Sequence, residues 1–267
     1  MAYGRWGRRD FEHDSPLSIL DLVKNGTLDL KLASLFWLLM ETRPSVIVAA
    51  GPSNVGKTTT LEVLMDFMRP EVKQVQLQGD DEDFSFVKKA KPANTYQVAA
   101  EFSNWGMYVW GEVAVRAFEL VSKGFGLGGT IHAQSAREVI EILHRYLGLP
   151  VGSISAIDFI VTLEVRAGRL YGSEPIRRVD TVTLLLPHEK GLAIDQIVSL
   201  ASDGNTFEIA GDADLQAVLP AKFGLKKNSI VPDMKAREQI LSKLIDDGKT
   251  SREEVRKAVI EFYNSQS

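Results

Sequence analysis

The chain has 267 residues, 45% of them hydrophobic and 25% charged, which is the composition of an ordinary folded protein. Its 31 basic and 35 acidic side chains give a formal net charge of −4, which argues against a broad nucleic-acid-binding surface, and no nucleic-acid partner is expected. Cysteine is absent, which excludes disulfide scaffolds, thiolate zinc sites and cysteine nucleophiles. The longest mainly apolar stretch covers residues 32–40, whereas a bilayer span needs about 20 residues, and a cytoplasmic protein is expected.

The N-terminal part of the chain predicts an arm followed by two helices. Residues 1–14 are polar, aromatic and basic, and they are expected to form the arm. Ser15 and Pro16 have the pattern of an N-cap followed by proline at the first helical position, and Gly26 is a suitable end for that helix. A second helix is predicted over residues 27–42, where apolar residues recur at helical spacing.

Strands and helices then alternate along the chain. The predicted strands cover residues 45–50, 72–78, 107–113 and 128–133. The predicted helices cover residues 56–68, 114–123 and 135–147, and residues 79–95 are predicted to form a loop. This alternation is typical of an α/β fold, in which a parallel sheet is covered by helices on both faces.

Beyond Pro150 the pattern changes to strands joined by glycine, proline and aspartate turns, which predicts a small antiparallel β annex. The predicted annex strands cover residues 159–165, 178–186 and 193–200. Helices return at the end of the chain, where Ser251 and Glu254 have the spacing of a capping box. The expected division is therefore an arm over residues 1–14, a nucleotide-binding core over 15–150, a β-rich annex completing that core over 151–230, and a helical module over 231–267.

The strongest motif is GPSNVGKT at residues 51–58, which is a complete phosphate-binding P-loop pattern between a predicted strand and a predicted helix. Backbone N–H groups of such a loop form an anion nest at the positive end of the following helix. Lys57 is predicted to contact the β- and γ-phosphates, and the Thr58 hydroxyl is predicted to bind Mg²⁺. The residues predicted to bind nucleotide are Gly51, Pro52, Ser53, Asn54, Val55, Gly56, Lys57, Thr58 and Thr59.

Other polar residues are placed at predicted strand ends, where ligands of parallel sheets bind. Glu112 is expected to hold a metal-bound water or to orient the attacking water, with a solvated strand-end carboxylate as the alternative. His132 is expected to sense the γ-phosphate or to donate to the developing charge, with an ordinary strand-end histidine as the alternative. The acidic residues 80–83 are expected to supply a metal-water contact or a general base, with a solvated loop as the alternative.

Together these segments resemble the secretion-type ATPases that drive type II and type IV secretion, pili and archaeal flagella. The stretch LASLFWLLMETRPSVIVAAGPSNVGKTTTLEVL is similar to their helical lead-in and Walker A loop, YVWGEV to Walker B, and GGTIHAQSAREVIEIL to the histidine box. The resemblance places Glu112 at the Walker B glutamate and His132 in the histidine box. It implies a RecA-like P-loop NTPase fold, ATP and Mg²⁺ as cofactors, and ATP hydrolysis with Lys57, Glu112 and His132 as catalytic residues.

The same resemblance implies a compact member of the superfamily, with the arm standing in place of the usual N-terminal domain. It also implies assembly as a homo-oligomer, a hexameric ring, with a membrane platform protein as the partner. The chain would then lie peripherally at the inner face of the cell membrane. Arginines of an adjoining subunit would complete each site, and the candidates are Arg116, Arg166, Arg169, Arg177 and Arg178.

Several positions depart from the family pattern and keep a second function open. Ala114 stands where arginine normally follows the Walker B glutamate, and Phe125 stands where a second histidine is expected. The sequence QGDDED replaces the usual acidic box, and no arginine lies between Phe84 and Glu112. The alternative is therefore a P-loop protein that binds nucleotide as a switch or ring component with little hydrolysis. A small-molecule kinase would need an arginine-rich lid, whereas residues 151–230 are predicted strands.

Overall fold

A computed structural model describes residues 16–166, 175–189 and 191–266. The predicted arm over residues 1–14, Ser15 and Arg169 lie outside the described residues. Within the described ranges, no helix is both long and apolar enough to cross a membrane. The described α-helices are α1 (Ile19–Lys24), α2 (Leu30–Glu41), α3 (Lys57–Met65), α4 (Gly111–Ser122), α5 (Ala136–Glu141), α6 (Val151–Ile154), α7 (Asp212–Phe223), α8 (Ile230–Asp246) and α9 (Arg252–Ser265).

The strands form one mixed sheet. They are β1 (Val46–Ala49), β2 (Lys73–Gln76), β3 (Thr95–Phe102), β4 (Gly126–Ile131), β5 (Phe159–Arg166), β6 (Ile176–His188), β7 (Gly191–Leu200) and β8 (Phe207–Ile209). The spatial order is β2-β3-β4-β1-β5-β6-β7-β8. Pairs from β2 to β5 are parallel, and pairs beyond β5 are antiparallel. This arrangement confirms the predicted α/β fold class, and the antiparallel strands extend the parallel sheet directly.

Helices cover both faces of this sheet, as the alternation along β1 shows. Val46 and Val48 pack into a core formed with α1, α2, α3 and the C-terminal helices. Ile47 and Ala49 pack into a second core formed with α4 and α5. Because all four side chains are buried, β1 is a central strand, as its β-branched sequence predicts.

The first helix begins later than predicted. Its N-cap is Ser18, whose hydroxyl accepts hydrogen bonds from the backbone N–H groups of Leu20 and Asp21. The Asp21 side chain in turn accepts from the Ser18 N–H, which completes a capping box. Pro16 therefore precedes the helix, and the prediction that it occupies the first helical position is wrong. The Ser18 hydroxyl also donates to the Thr250 carbonyl at 2.7 Å, which ties α1 to the start of α9.

The strand predicted over residues 107–113 is wrong, because Thr95–Phe102 takes the place beside β4. Residues 107–110 lie past the end of β3, where only an isolated bridge joins Phe102 to Val109. Gly111 has a φ of +56°, and the chain turns there into α4. Glu112 therefore lies in the first turn of a helix and not at the end of a strand.

Glycines of β4 allow β3 to pack closely beside it. A Cβ atom on Gly126 would lie 2.3 Å from the Tyr96 ring, and one on Gly129 would lie 2.3 Å from the Phe102 ring. Both aromatic rings are buried. Contacts this short are sterically excluded, so the register of β3 against β4 depends on these glycines.

Helix α9 holds the end of α3 that is remote from its first turn. Arg252 on α9 forms an ion pair with Asp66 at 2.5 Å. Arg256 donates to the Met68 carbonyl at 2.5 Å, and the Tyr263 hydroxyl donates to the Phe67 carbonyl at 2.6 Å. These bonds satisfy backbone acceptors just beyond the C-terminus of α3 and fix the helix in place.

Candidate functional site

The P-loop segment forms the expected turn between a strand and a helix. β1 ends at Ala49 and α3 begins at Lys57, with the glycine-rich loop between them. Asn54 and Gly56 have φ values of +61° and +96°, so the loop contains two residues in the left-handed region. A backbone that alternates in this way turns successive N–H groups toward one point, which is the geometry of an anion nest. Gly56 is also the N-cap of α3, whose positive end therefore faces the loop.

Lys57 is the buried cation of this loop, with 6% of its surface exposed. Its Nζ atom lies 3.3 Å from Nδ1 and 3.2 Å from Nε2 of His132. Burial lowers the pKa of the Lys57 ammonium below its usual value, and the nearby Glu101 carboxylate opposes that shift. A phosphate bound in the loop would supply further negative charge to this desolvated ammonium.

His132 directly follows β4 and links three parts of the site. Its Nδ1 atom lies 3.1 Å from the Gly51 carbonyl oxygen. If Nδ1 carries the proton and donates to that carbonyl, Nε2 is free to accept from Lys57. Nε2 also lies 3.4 Å from a carboxylate oxygen of Glu101. The imidazole is 40% exposed, so it remains accessible at the mouth of the loop.

Glu101 is a site residue that the sequence analysis missed. It is the second-last residue of β3, and its side chain is 18% exposed beside His132. The strand was not predicted because Thr95, Gln97 and Glu101 interrupt its apolar residues. The available signal was the Pro92–Asn94 turn followed by aromatic and β-branched residues, a pattern typical of a strand start.

Glu112, the predicted Walker B glutamate, lies in a neighbouring cleft of about 280 Å³. Asp80, from the predicted acidic segment, lines the same cleft together with Tyr108 and Trp110. Within the described part of the chain, no hydrogen bond or ion pair joins Glu112 to Lys57 or His132. The structure therefore brings His132 into contact with Lys57 and Glu101, and Glu112 instead lines the cleft with Asp80.

Two further acidic residues of this segment, Glu82 and Asp83, form hydrogen bonds within the local turn. The Glu82 carboxylate accepts hydrogen bonds from the backbone N–H groups of Gln78 and Phe84. Asp83 accepts from the Ser85 N–H at 2.8 Å, and this bond holds the pKa of its carboxyl below the usual value. These two carboxylates have the contacts of an ordinary solvated turn.

The predicted magnesium ligand, Thr58, is exposed in the first turn of α3 next to the buried Lys57. No group of three histidine or acidic side chains within the described residues is arranged to hold a metal ion. Mg²⁺ in nucleotide sites is bound by one or two protein oxygens together with phosphates and waters. An exposed threonine hydroxyl beside an anion nest fits that mode of binding.

The candidate arginines differ in their surroundings. Arg116 pairs with Glu119 on the surface of α4, and Arg166 pairs with Glu164 on β5. Arg178 donates to the Asn25 carbonyl at the turn after α1, and burial lowers its pKa. Arg177 lies against the P-loop of its own chain, where it donates to the Asn54 carbonyl at 3.4 Å.

Comparison with curated proteins finds two uncharacterized relatives, and no family model matches the chain. MJ1287 of Methanocaldococcus jannaschii is 23% identical over 272 residues, which cover 91% of this chain and 96% of the relative. MJ0900 of the same organism is 28% identical over 153 residues, which cover 49% of this chain and 27% of the relative. The first relative thus matches along nearly its whole length, and the second only over about a quarter.

Similar solved structures include two ATPases. One is the VirB11 ATPase from the Brucella suis type IV secretion system in complex with sulphate, with 19% identity and a TM-score of 0.40. It aligns with 61% of this chain, which spans 54% of that structure. The other is the Legionella pneumophila ATPase DotB, with 10% identity and a TM-score of 0.38. It aligns with 92% of this chain, which spans 66% of that structure.

Proposed function

We propose that this chain is an ATPase that binds ATP and Mg²⁺ at the Gly51–Thr58 loop and works as a ring motor subunit of a secretion or pilus-like system. The observation that carries the proposal is the grouping of Lys57, His132 and Glu101 at the mouth of that loop. Three elements, α3, β4 and β3, supply a cation, an imidazole and a carboxylate to one place. A glycine-rich turn that binds no ligand would have no need for these three side chains at its mouth.

Each group has a role in hydrolysis that follows from its chemistry. Lys57 neutralises charge on the β- and γ-phosphates, and His132 holds its ammonium at the loop mouth. Glu101 accepts a proton from the attacking water as the water oxygen bonds to the γ-phosphorus. The bond from that phosphorus to the bridging oxygen breaks, and its electron pair leaves with ADP. Thr58 would hold Mg²⁺, which supplies electrostatic stabilisation of the phosphate charge when it is bound.

The motor part of the proposal is supported by the order of the sequence segments that resemble secretion-type ATPases. A hexameric ring would place arginines of a neighbouring subunit near the nucleotide. Its work would be delivered to a membrane platform protein, with the ring at the cytoplasmic face of the membrane. In the division that we propose, residues 15–150 bind nucleotide, 151–230 complete that core, and 231–267 form the helical module.

A second candidate function is a nucleotide-binding switch or ring component with little hydrolysis. The position of Glu112 favours it, because the residue that resembles the Walker B glutamate lies in a separate cleft. Both candidates require the P-loop to bind nucleotide, and they differ in turnover.

Steady-state phosphate release, measured together with the mass in solution, tests the proposal. An ATPase motor should release phosphate from Mg–ATP, and its specific activity should rise with protein concentration as the ring assembles. Tight nucleotide binding with no phosphate release above background would favour the switch. Binding of neither ATP nor ADP would contradict both candidates.

A further inference from the structure

One arginine reaches the P-loop from the antiparallel half of the sheet. Arg177 lies on β6, paired in register with Val165 of β5. Its Nη2 atom donates to the Asn54 carbonyl at 3.4 Å, and its Cδ atom lies 3.7 Å from the point that a Cβ on Gly56 would occupy. The side chain therefore extends across the two residues whose left-handed conformations shape the loop.

Arg177 approaches the loop from the β5 side of β1, whereas the side chain that contacts Lys57 lies on the β4 side. β4 and β5 lie on the two sides of β1, and β6 lies beyond β5. Lys57 is in contact with His132 at the end of β4, and Glu101 follows on β3. The loop thus has a lysine, an imidazole and a carboxylate on one side and a guanidinium on the other.

The bond that Arg177 makes to the loop is one that an anion would improve. A 3.4 Å contact with a neutral, solvent-exposed carbonyl is long for a hydrogen bond. A guanidinium has five N–H donors in a planar fork, and it binds phosphate oxygens with shorter, charge-assisted bonds. The long side chain can move from the Asn54 carbonyl to a bound phosphate without any change of the strand that carries it.

We infer that Arg177 is a phosphate-binding residue acting within its own subunit, on the α- and β-phosphates of the bound nucleotide. The inference rests on the proposed nucleotide binding. It assigns Arg177 to the nucleotide of its own subunit (in cis), whereas a ring would also allow it to act on the nucleotide of a neighbouring subunit (in trans). The γ-phosphate belongs to the flank with Lys57, His132 and Glu101, where cleavage is proposed. Arg177, on the other flank, would contact the α- and β-phosphates, which remain in ADP after cleavage.

Nucleotide affinity measured for two variants tests this role. Arg177→Met keeps the aliphatic stem against Gly56 and removes the charge, whereas Arg177→Lys keeps a charge without the planar fork. In each variant, the affinities for ATP and for ADP should fall by similar factors. For Arg177→Met the expected loss is about tenfold, which corresponds to about 1.4 kcal/mol. Arg145→Met is the matched control, since Arg145 is an exposed arginine paired with Glu141 on the surface, and its affinity should equal that of the parent.

A mixing experiment separates action in cis from action in trans. Arg177→Met has an intact lysine, and Lys57→Ala has an intact Arg177. If Arg177 acted across an interface, mixed assemblies would combine one subunit's loop with the other's arginine, and tight ADP binding would return. We expect no recovery on mixing. Recovery, or an unchanged ADP affinity in Arg177→Met, would overturn the inference while the parent's nucleotide binding stands. A parent that binds neither nucleotide would overturn the proposed function, and the inference with it.

Discussion

The end of β3 and the start of α4 each present a glutamate after an apolar segment, and Glu101 contacts His132 beside the P-loop whereas Glu112 lines a cleft beside α4. Glu101 lies 3.4 Å from His132 and opposes the lowering of the Lys57 pKa. Glu112 lies in a separate cleft with Asp80. The position of a carboxylate near the P-loop therefore depends on which strand pairs beside β4. A glycine and glutamate after apolar residues do not by themselves determine that position.

Competition for one position in the sheet explains the difference. β4 has two neighbours, and β1 and β3 occupy both places. Residues 107–110 can then form only a bridge beyond the end of β3, where Met107 is 79% exposed. Trp105 in the same connection is also 79% exposed, so this segment packs little apolar surface against the sheet.

The largest expected effect separates the two glutamates by turnover. Glu101→Gln should lower phosphate release by about 10²–10⁴-fold, because the amide is no longer a base for the attacking water. Glu112→Gln should lower it by less than about threefold. Nucleotide binding by both variants, measured in parallel, is the control for folding. The reverse order of effects would return Glu112 to the role that the sequence resemblance gives it.

The next effect tests the premise that the P-loop beside Glu101 binds a nucleotide. Lys57→Ala should weaken ATP binding by at least about a hundredfold, or about 2.7 kcal/mol, because it removes the buried charge at the loop. Equilibrium titration with a fluorescent ATP analogue measures the loss. Because Lys57 is buried, the substitution can disturb folding. The circular dichroism spectrum of Lys57→Ala should therefore be compared with that of the parent. An affinity within about threefold of the parent would contradict nucleotide binding at the P-loop.

A smaller effect on stability tests which segment lies beside β4. Gly129→Ala places a Cβ atom 2.3 Å from the Phe102 ring, so it should lower the free energy of unfolding by about 1–3 kcal/mol. Gly152→Ala is the control, because a Cβ there meets no atom within 4 Å. Urea denaturation of the two variants gives the comparison. Equal stability would indicate that β3 does not occupy its assigned place.

The smallest effect is a shift in the pH dependence of binding. Burial lowers the Lys57 pKa and Glu101 opposes this, so Glu101→Gln should lower that pKa further. ADP affinity falls as pH rises through the Lys57 pKa, since the ammonium loses its charge there. The fall should therefore begin at a lower pH in Glu101→Gln than in the parent. The plot of ADP affinity against pH for Glu112→Gln should match that of the parent. A shift of equal size in both variants would contradict a specific interaction between Glu101 and Lys57.

Much of the fold could be predicted from the sequence because its signals were local. The β-branched run of β1, the P-loop and the strand that leads to His132 are each contained in a few residues. The structure has all three elements, with the last strand at Gly126–Ile131 where 128–133 was predicted. The β3 strand could not be found in this way. Gln97 is fully buried in it, and its side chain donates to the Ala117 carbonyl at 3.2 Å. A buried polar residue whose amide nitrogen bonds a partner distant in sequence has no local signature.

The candidate site was predictable to the same extent. Lys57 and Thr58 follow from a motif whose geometry is built into adjacent residues. Glu101 depends on the pairing of β3 with β4, and Arg177 depends on a strand far along the chain. Their positions follow from the strand order, which periodicity alone does not specify.

A crystal structure with Mg²⁺ and a non-hydrolysable ATP analogue would show directly which glutamate faces the attacking water. We expect the γ-phosphate beside Lys57 and His132, with a water between it and the Glu101 carboxylate. Glu112 should remain in the cleft with Asp80. A structure in which Glu112 lies against that water, and Glu101 points away from the nucleotide, would contradict the proposed role of Glu101 as the base.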